Sequence, residues 1–305
     1  MHKPRSPRRG RTSSWLLLLA LATPFRAQAW YYEGHRKIVA LTVELAGTNL
    51  PAFFRQGLDL MQDCSGDPDA FRDLSPEDLK KAEGPEHFID CEMLAGAALP
   101  PTRYEFVALC AQRRLDPAAV GCLPYAVAEW EQRLGVALAE YRRWPDKARI
   151  QQKALVYAGL LGHYAGDLCQ PLHVTVHYNG RQQPDGQSPR TGIHNKVDDL
   201  PGKAPFPFRE LLTPPINVAP CDRVMPCILG ALEATRGQVD RVYRLEPKLP
   251  KEGEPLGDDP EVRAFTRESL RVSARFLAAL YLTAWKQSAD LVLPPWLDGK
   301  GDGTR

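Results

Sequence analysis

The segment Ala154-Leu-Val-Tyr-Ala-Gly-Leu-Leu-Gly-His163-Tyr-Ala-Gly-Asp167-Leu-Cys-Gln-Pro171-Leu-His173 decides how the chain is read. Its first part, Ala154 to Gly162, is small and apolar, which predicts a buried helix. His163 and Asp167 are four residues apart, so on that helix they share one face. Pro171 has no N–H and disfavours helical geometry in the residue before it, so the helix ends or kinks there. His173 can then turn back towards the other two. The plain alternative is a pair of packed histidines and a capping aspartate. A buried carboxylate is costly unless it is paired or bound to a cation, however, so three ligand-type side chains in an apolar segment favour a metal site.

Working outward, the other segments also read as helices. One is expected over Glu33–Ala46, with Ile38, Val39, Leu41, Val43 and Leu45 inward or nearby. Pro51–Met61 suits a short helix, and residues 62–74, rich in Asp, Gly and Pro, suit a loop. Ser75 is the expected cap of the next helix, with Pro76 at its first position. Pro124 opens a stripe at spacings of three and four: Val127, Trp130, Leu134, Ala137 and Tyr141. Pro145 is the expected start of the central helix. Residues 179–193 read as a loop, Asp222–Tyr243 as a helix and 246–260 as a loop. Asp259-Pro260 should begin a last helix bearing Phe265, Phe276, Leu280 and Trp285. Few segments alternate with period two, so a sheet is not expected. The predicted architecture is an all-α, single-domain helical bundle that presents ligands inward.

The first 29 residues resemble a removable secretory signal. Lys3, Arg5, Arg8, Arg9 and Arg11 precede the apolar run Trp15–Ala22, and Ala27-Gln28-Ala29 is a small-x-small cleavage site. The run is too short to anchor the chain across a bilayer. Export to the periplasm or beyond the cell is expected, leaving one domain over 30–305 with a polar, frayed tail (296–305). The signal carries six basic residues and no acids. The remainder therefore holds 33 basic against 37 acidic residues, a net charge of −4. No basic excess drives non-specific polyanion binding. Seven cysteines in an exported chain make disulfides plausible, and their odd number leaves at least one unpaired. Sequence closeness suggests Cys110–Cys122 and Cys221–Cys227, with Cys64–Cys91 as a weaker pair and Cys169 as a buried free thiol. No CxxC spacing suggests sulfur ligation of zinc.

Further ligand-type residues recur along the chain. His194 and Asp198 repeat the four-residue helical spacing. His87 opens His87-Phe88-Ile89-Asp90, and Asp69 lies in Pro68-Asp69-Ala70-Phe71-Arg72. His35 follows Trp30 by five residues. Cleavage after Ala29 would expose the Trp30 α-amino group, which with its own carbonyl makes a chelate no interior residue can offer.

Together, in this order, these blocks resemble the trinuclear zinc superfamily that joins single-strand-specific nucleases of the S1/P1 type to bacterial zinc-dependent phospholipases C. The likeness spans residues 30–198. It implies a helical phosphodiesterase holding three zinc ions. Asp69, His87, His163 and Asp167 would hold one ion. Trp30, His35 and Asp167 would hold a second, with Asp167 shared, and His173, His194 and Asp198 the third. The implied chemistry is hydrolysis of a phosphodiester, because paired zinc ions bring the pKa of bound water towards neutrality and supply hydroxide. Asp69 would orient the nucleophile or take its proton. Phe88 and Asp90 resemble the family's substrate-side pair, and Arg72 would support the ligands rather than react. His177 is left over as an ordinary loop histidine.

Asp198 and His-Phe-Ile-Asp look nuclease-like. The chain lacks the nucleases' Gly-Gly-Asn stretch, and Thr191-Gly192-Ile193-His194-Asn195-Lys196 looks closer to the phospholipases. Single-stranded nucleic acid is thus the leading expected substrate and phospholipid the alternative. A non-catalytic helical protein stabilised by zinc is the third reading.

Overall fold

Residues 31–298 are described by a computed structural model, and their regular structure is helical. The expected signal (1–29), Trp30 and residues 299–305 lie outside the described residues. α1 (Tyr32–Ala46) takes nearly the expected span. The expected Pro51–Met61 helix is two pieces, α2 (Phe53–Gln56) and α3 (Leu58–Cys64). The 62–74 loop is a correction: it holds the end of α3 and all of α4 (Asp67–Leu74). Its loop-like composition conceals a helix start, since Pro68 stands in the first turn beside Asp67 and Asp69. α5 (Glu77–Glu83) follows, with Pro76 rather than Ser75 at its cap.

α6 (Arg103–Arg113) opens on a Thr102/Glu105 capping box, and α7 (Pro117–Val120) is a single turn. α8 (Leu123–Arg143) and α9 (Ala148–Leu168) are the long central pair. α10 (Ile193–Lys203) and the short α11 (Phe208–Leu211) come next. The expected Asp222–Tyr243 helix breaks into α12 (Val224–Arg236) and α13 (Val239–Leu245). Asp259 accepts the N–H groups of Glu261 and Val262 and caps α14 (Pro260–Gln287), as its sequence suggested. No strand occurs among the described residues, and no described helix is long and apolar enough to cross a membrane.

The fold is a single-domain all-α bundle built around α9. Every residue from Ala158 to Leu168 is buried, because α8, α3, α14 and α1 all pack against this helix. Each fully buried leucine there contributes roughly 1.5–3 kcal/mol. The ligand-bearing turn of α9 is thereby fixed in the middle of the molecule. Tyr281 on α14 donates to the Ala158 carbonyl at 2.7 Å, which ties the two helices.

The disulfide guesses are partly corrected. Cys221 and Cys227 are bonded, with Cα atoms 6.0 Å apart. Cys64, Cys91, Cys110, Cys122 and Cys169 are free. Cys110 faces the core from α6, whereas Cys122 sits at the cap of α8 with its sulfur towards the Pro117 carbonyl. Closeness in sequence does not set the Cβ directions a disulfide needs.

Glu131 of α8 is fully buried, and neither of its carboxylate oxygens has a hydrogen-bond partner among the described residues. Burial pushes its pKa up to about 7 from an ordinary 4.5. The folded chain therefore favours the protonated form, and stability falls as pH rises from about 4.5 through about 7. The full effect is about 3 kcal/mol. Glu131→Met should raise stability at pH 8 by an amount of that order and leave it nearly unchanged at pH 4. Urea unfolding of both proteins in chelator at each pH measures the difference.

Candidate metal centre

Six elements deliver the ligand-type side chains to one place. His163 and Asp167 come from the last turns of α9, His35 from α1 and Asp69 from α4. His87 and His173 stand on single 3₁₀ turns, Gly84–His87 and Pro171–His173. His194 and Asp198 share a face of α10. The Pro171 turn brings His173 back under the end of α9, as the sequence suggested. Three groups result whose ligand atoms lie within 4.8 Å of one another: His35, His163 and Asp167; Asp69, His87 and His163; and His173, His194 and Asp198. Trp30 lies outside the described residues, so its expected part is not seen.

Asp167 is the hub. Its Oδ1 lies 3.4 Å from His35 Nε2. Its Oδ2 lies 3.1 Å from His87 Nδ1 and 3.3 Å from His163 Nε2. The two oxygens thus serve different neighbours, which is the geometry a shared ligand needs. His163 belongs to both groups, its Nε2 lying 3.3 Å from Asp167 Oδ2 and 3.9 Å from Asp69 Oδ1, and its ring stacks on His35 with centroids 4.0 Å apart. Gly166 permits that approach, since a Cβ there would stand 2.9 Å from His35 Nδ1.

Backbone carbonyls orient the rings. His163 Nδ1 donates to the Ser65 carbonyl at 2.8 Å, and His173 Nδ1 donates to the His87 carbonyl at 2.7 Å. Each Nε2 is left facing the cluster, where its lone pair can ligate. Gln170 Nε2 donates to Asp198 Oδ1 at 2.6 Å, and Asp198 Oδ2 lies 3.1 Å from His194 Nε2. Arg72 Nη2 lies 2.8 Å from Asp69 Oδ1, and Arg72 Nε pairs with Asp73 Oδ1 at 3.0 Å.

Burial holds the His35, His87 and His173 pKa values down, that of His87 to about 4. For His163 and His194, burial is outweighed by neighbouring carboxylates and the pKa rises. Asp167 stays well below the usual carboxylate range despite its burial, because His163 and His173 face it. Both ring nitrogens of His35, Asp167 Oδ1, His173 Nε2 and Asp198 Oδ2 are buried without a hydrogen-bond partner. Such orphaned atoms are costly unless something satisfies them. Divalent cations fit this requirement, and the nitrogen and oxygen donors, with no cysteine in any group, are compatible with zinc.

His87, His173 and His194 open onto a cleft of about 560 Å³. Phe88, Asp90 and Arg72 line it, together with Lys80, Lys81 and Tyr178, none of which sequence reasoning had placed there. Burial, with Glu92 nearby, pushes Asp90 up to about 7. The wall carrying Phe88 is held by three backbone bonds: Cys122 N to Pro85 O, Leu123 N to Phe88 O and Asp90 N to Val120 O. Gly121, at φ +91°, makes the contact possible, because a Cβ would meet the Phe88 carbonyl oxygen at 2.1 Å. His177 stays out of the groups and accepts the Gln182 N–H.

Gln170 and Glu83 were also missed as site residues. Gln170 lay inside the central motif. Glu83 precedes His87 by one helical turn, but nothing distinguishes it from the other charged residues of that stretch. The sequence matches no protein-family model and no curated protein.

If Asp167 is shared as its two oxygens indicate, Asp167→Asn should lower bound divalent metal per chain more than Asp198→Asn does. Elemental analysis after dialysis against trace metal tests this, and equal losses would show that Asp167 serves one group only.

Proposed function

We propose that this protein is an exported phosphodiesterase that holds three zinc ions and hydrolyses single-stranded nucleic acid. The observation that carries the reading is the convergence of three nitrogen- and oxygen-donor groups, two of them sharing His163 and flanked by Asp167, whose oxygens face His35 and His87, beside one cleft lined by His87, His173 and His194. The order of the ligand-type blocks and their resemblance to the trinuclear zinc superfamily support it, as does the signal-like leader whose removal would supply the Trp30 amine. Bound zinc would supply Lewis acidity, ionising water near neutral pH and offsetting charge on phosphorus.

The chain's own residues have separable tasks. Asp69 orients the attacking water and accepts its proton at a carboxylate oxygen. Arg72 Nη2, 2.8 Å from Asp69 Oδ1, holds that carboxylate in place. Phe88 offers a ring face to a base, a sequence-tolerant contact suited to unpaired strands. Lys80 and Arg72 favour an anionic backbone locally within a net-acidic chain. A second reading, cleavage of phospholipid, draws on the apolar part of the same wall, where Ala118, Ala119 and Leu172 adjoin Phe88.

The test uses the protein from residue 30 onward, zinc-loaded, with single-stranded DNA, RNA and phosphatidylcholine offered side by side, with and without chelator. Chelator-sensitive cleavage of the nucleic acids is expected. Cleavage of phosphatidylcholine alone would move the assignment to the phospholipase reading. Zinc retention without hydrolysis of any substrate would leave a structural role. Asp69→Asn should stay folded by circular dichroism and lose at least about 100-fold in turnover, and near-normal turnover would mean another group takes the proton.

A further inference from the structure

The Asp69, His87 and His163 group uses Nδ1 of His87, which lies 3.0 Å from His163 Nε2 and 3.9 Å from Asp69 Oδ1. Nε2 of the same ring points away from the cluster, is buried and has no hydrogen-bond partner. The nearest carboxylate to it is Glu83, whose Oε1 lies 3.7 Å away, one helical turn earlier in the chain. Glu83 is itself held, because the Tyr164 hydroxyl donates to the same oxygen. Tyr164 is buried and follows His163 directly on α9, so the tether returns to the helix that bears the cluster.

A neutral imidazole carries one proton. On Nδ1 it would block ligation there; on Nε2 it leaves Nδ1 with a lone pair directed at the group. In the metal-free chain Asp167 Oδ2, 3.1 Å from Nδ1, favours the blocking tautomer. A carboxylate facing Nε2 opposes that preference. Hydrogen bonds of this kind are often long before the ligand arrives and tighten once it is bound.

We infer that Glu83 is a positioning residue for the metal centre: its carboxylate, anchored by Tyr164, accepts the His87 Nε2–H and so keeps Nδ1 available to the ion. The inference rests on the metal-dependent reading proposed above. Glu83 contributes no ligand atom to any of the three groups. It acts through His87, as carboxylates behind metal-bound histidines do elsewhere.

The test compares Glu83→Ala, Glu83→Gln and Tyr164→Phe in the protein from residue 30 onward. Zinc affinity is measured by chelator competition, and the His87 tautomer by ¹⁵N NMR of the ring nitrogens in metal-free protein. Glu83→Ala should weaken zinc binding by about 10–100-fold and shift His87 towards Nδ1–H. Glu83→Gln, which keeps an accepting oxygen, should recover part of both. Tyr164→Phe preserves the packing and should fall between wild type and Glu83→Ala. Unchanged zinc affinity, or an unchanged tautomer ratio in Glu83→Ala, would overturn the inference. If the wild type binds no zinc, the metal reading fails by itself, and the tautomer measurement still decides whether Glu83 sets the ring.

Discussion

The structure depends on the Asp167 carboxylate being held in the interior. It is fully buried and faces His35, His87, His163 and, at 3.8 Å, His173. An isolated carboxylate could not stay ionised there, since its desolvation cost far exceeds what one exposed ion pair returns. Compensation must come from several elements at once. That requirement fixes α1 and α4 against the end of α9, and it fixes the two 3₁₀ turns that bring His87 and His173. The apolar packing of α9 and the polar convergence around its last turn therefore cannot be separated. Packing supplies a rigid low-dielectric setting, and the setting makes the charge arrangement demanding.

The legible part of this was periodic or local. Helical spacing of His163 with Asp167 and of His194 with Asp198 could be read directly, and so could the stop at Pro171. The absence of period-two alternation sufficed for the fold class. What could not be read was direction in space. Residues 67–74 looked like a loop because Asp, Gly and Pro serve both loops and helix starts, and only the packing of α4 against α5 and α9 selects the helix. Cys110 and Cys122 looked like partners because they are near in sequence, but a helix face and a helix cap aim their side chains differently. Glu83 and Gln170 act on ligands from behind, and an outer partner has no spacing rule of its own.

Charge has to be considered at two ranges. Residues 30–305 hold 33 basic against 37 acidic residues, so on the proposed reading long-range attraction would not gather an anionic substrate. Within the cleft the balance differs. Arg72, Lys80 and Lys81 stand at one side, although Arg72 is engaged by Asp69 and Asp73 and Lys81 lies 3.7 Å from Glu77. Lys80 has no comparable carboxylate contact among the described residues. If the proposed function holds, recognition would be short-range and assisted by cations in the His and Asp groups, which would favour a phosphate that enters the cleft over a strand captured along an extended surface.

The wall of the cleft shows how one short segment can connect the metal-capable groups to the cleft lining. Phe88 is extended, with φ −149° and ψ 168°, so neighbouring side chains alternate across the backbone. Ile89 falls into the core, while Phe88 and Asp90 face the cleft and His87, at the turn before them, reaches the metal groups. The bonds from Asp90, Cys122 and Leu123 lock that alternation in register. A slip of one residue would bury Phe88 and expose Ile89. The separation between the Phe88 ring and the metal-capable side chains is thus set by backbone geometry rather than by flexible side-chain reach. For that reason Gly121, which belongs to none of the metal-capable groups, constrains the site through its close contact with the Phe88 carbonyl.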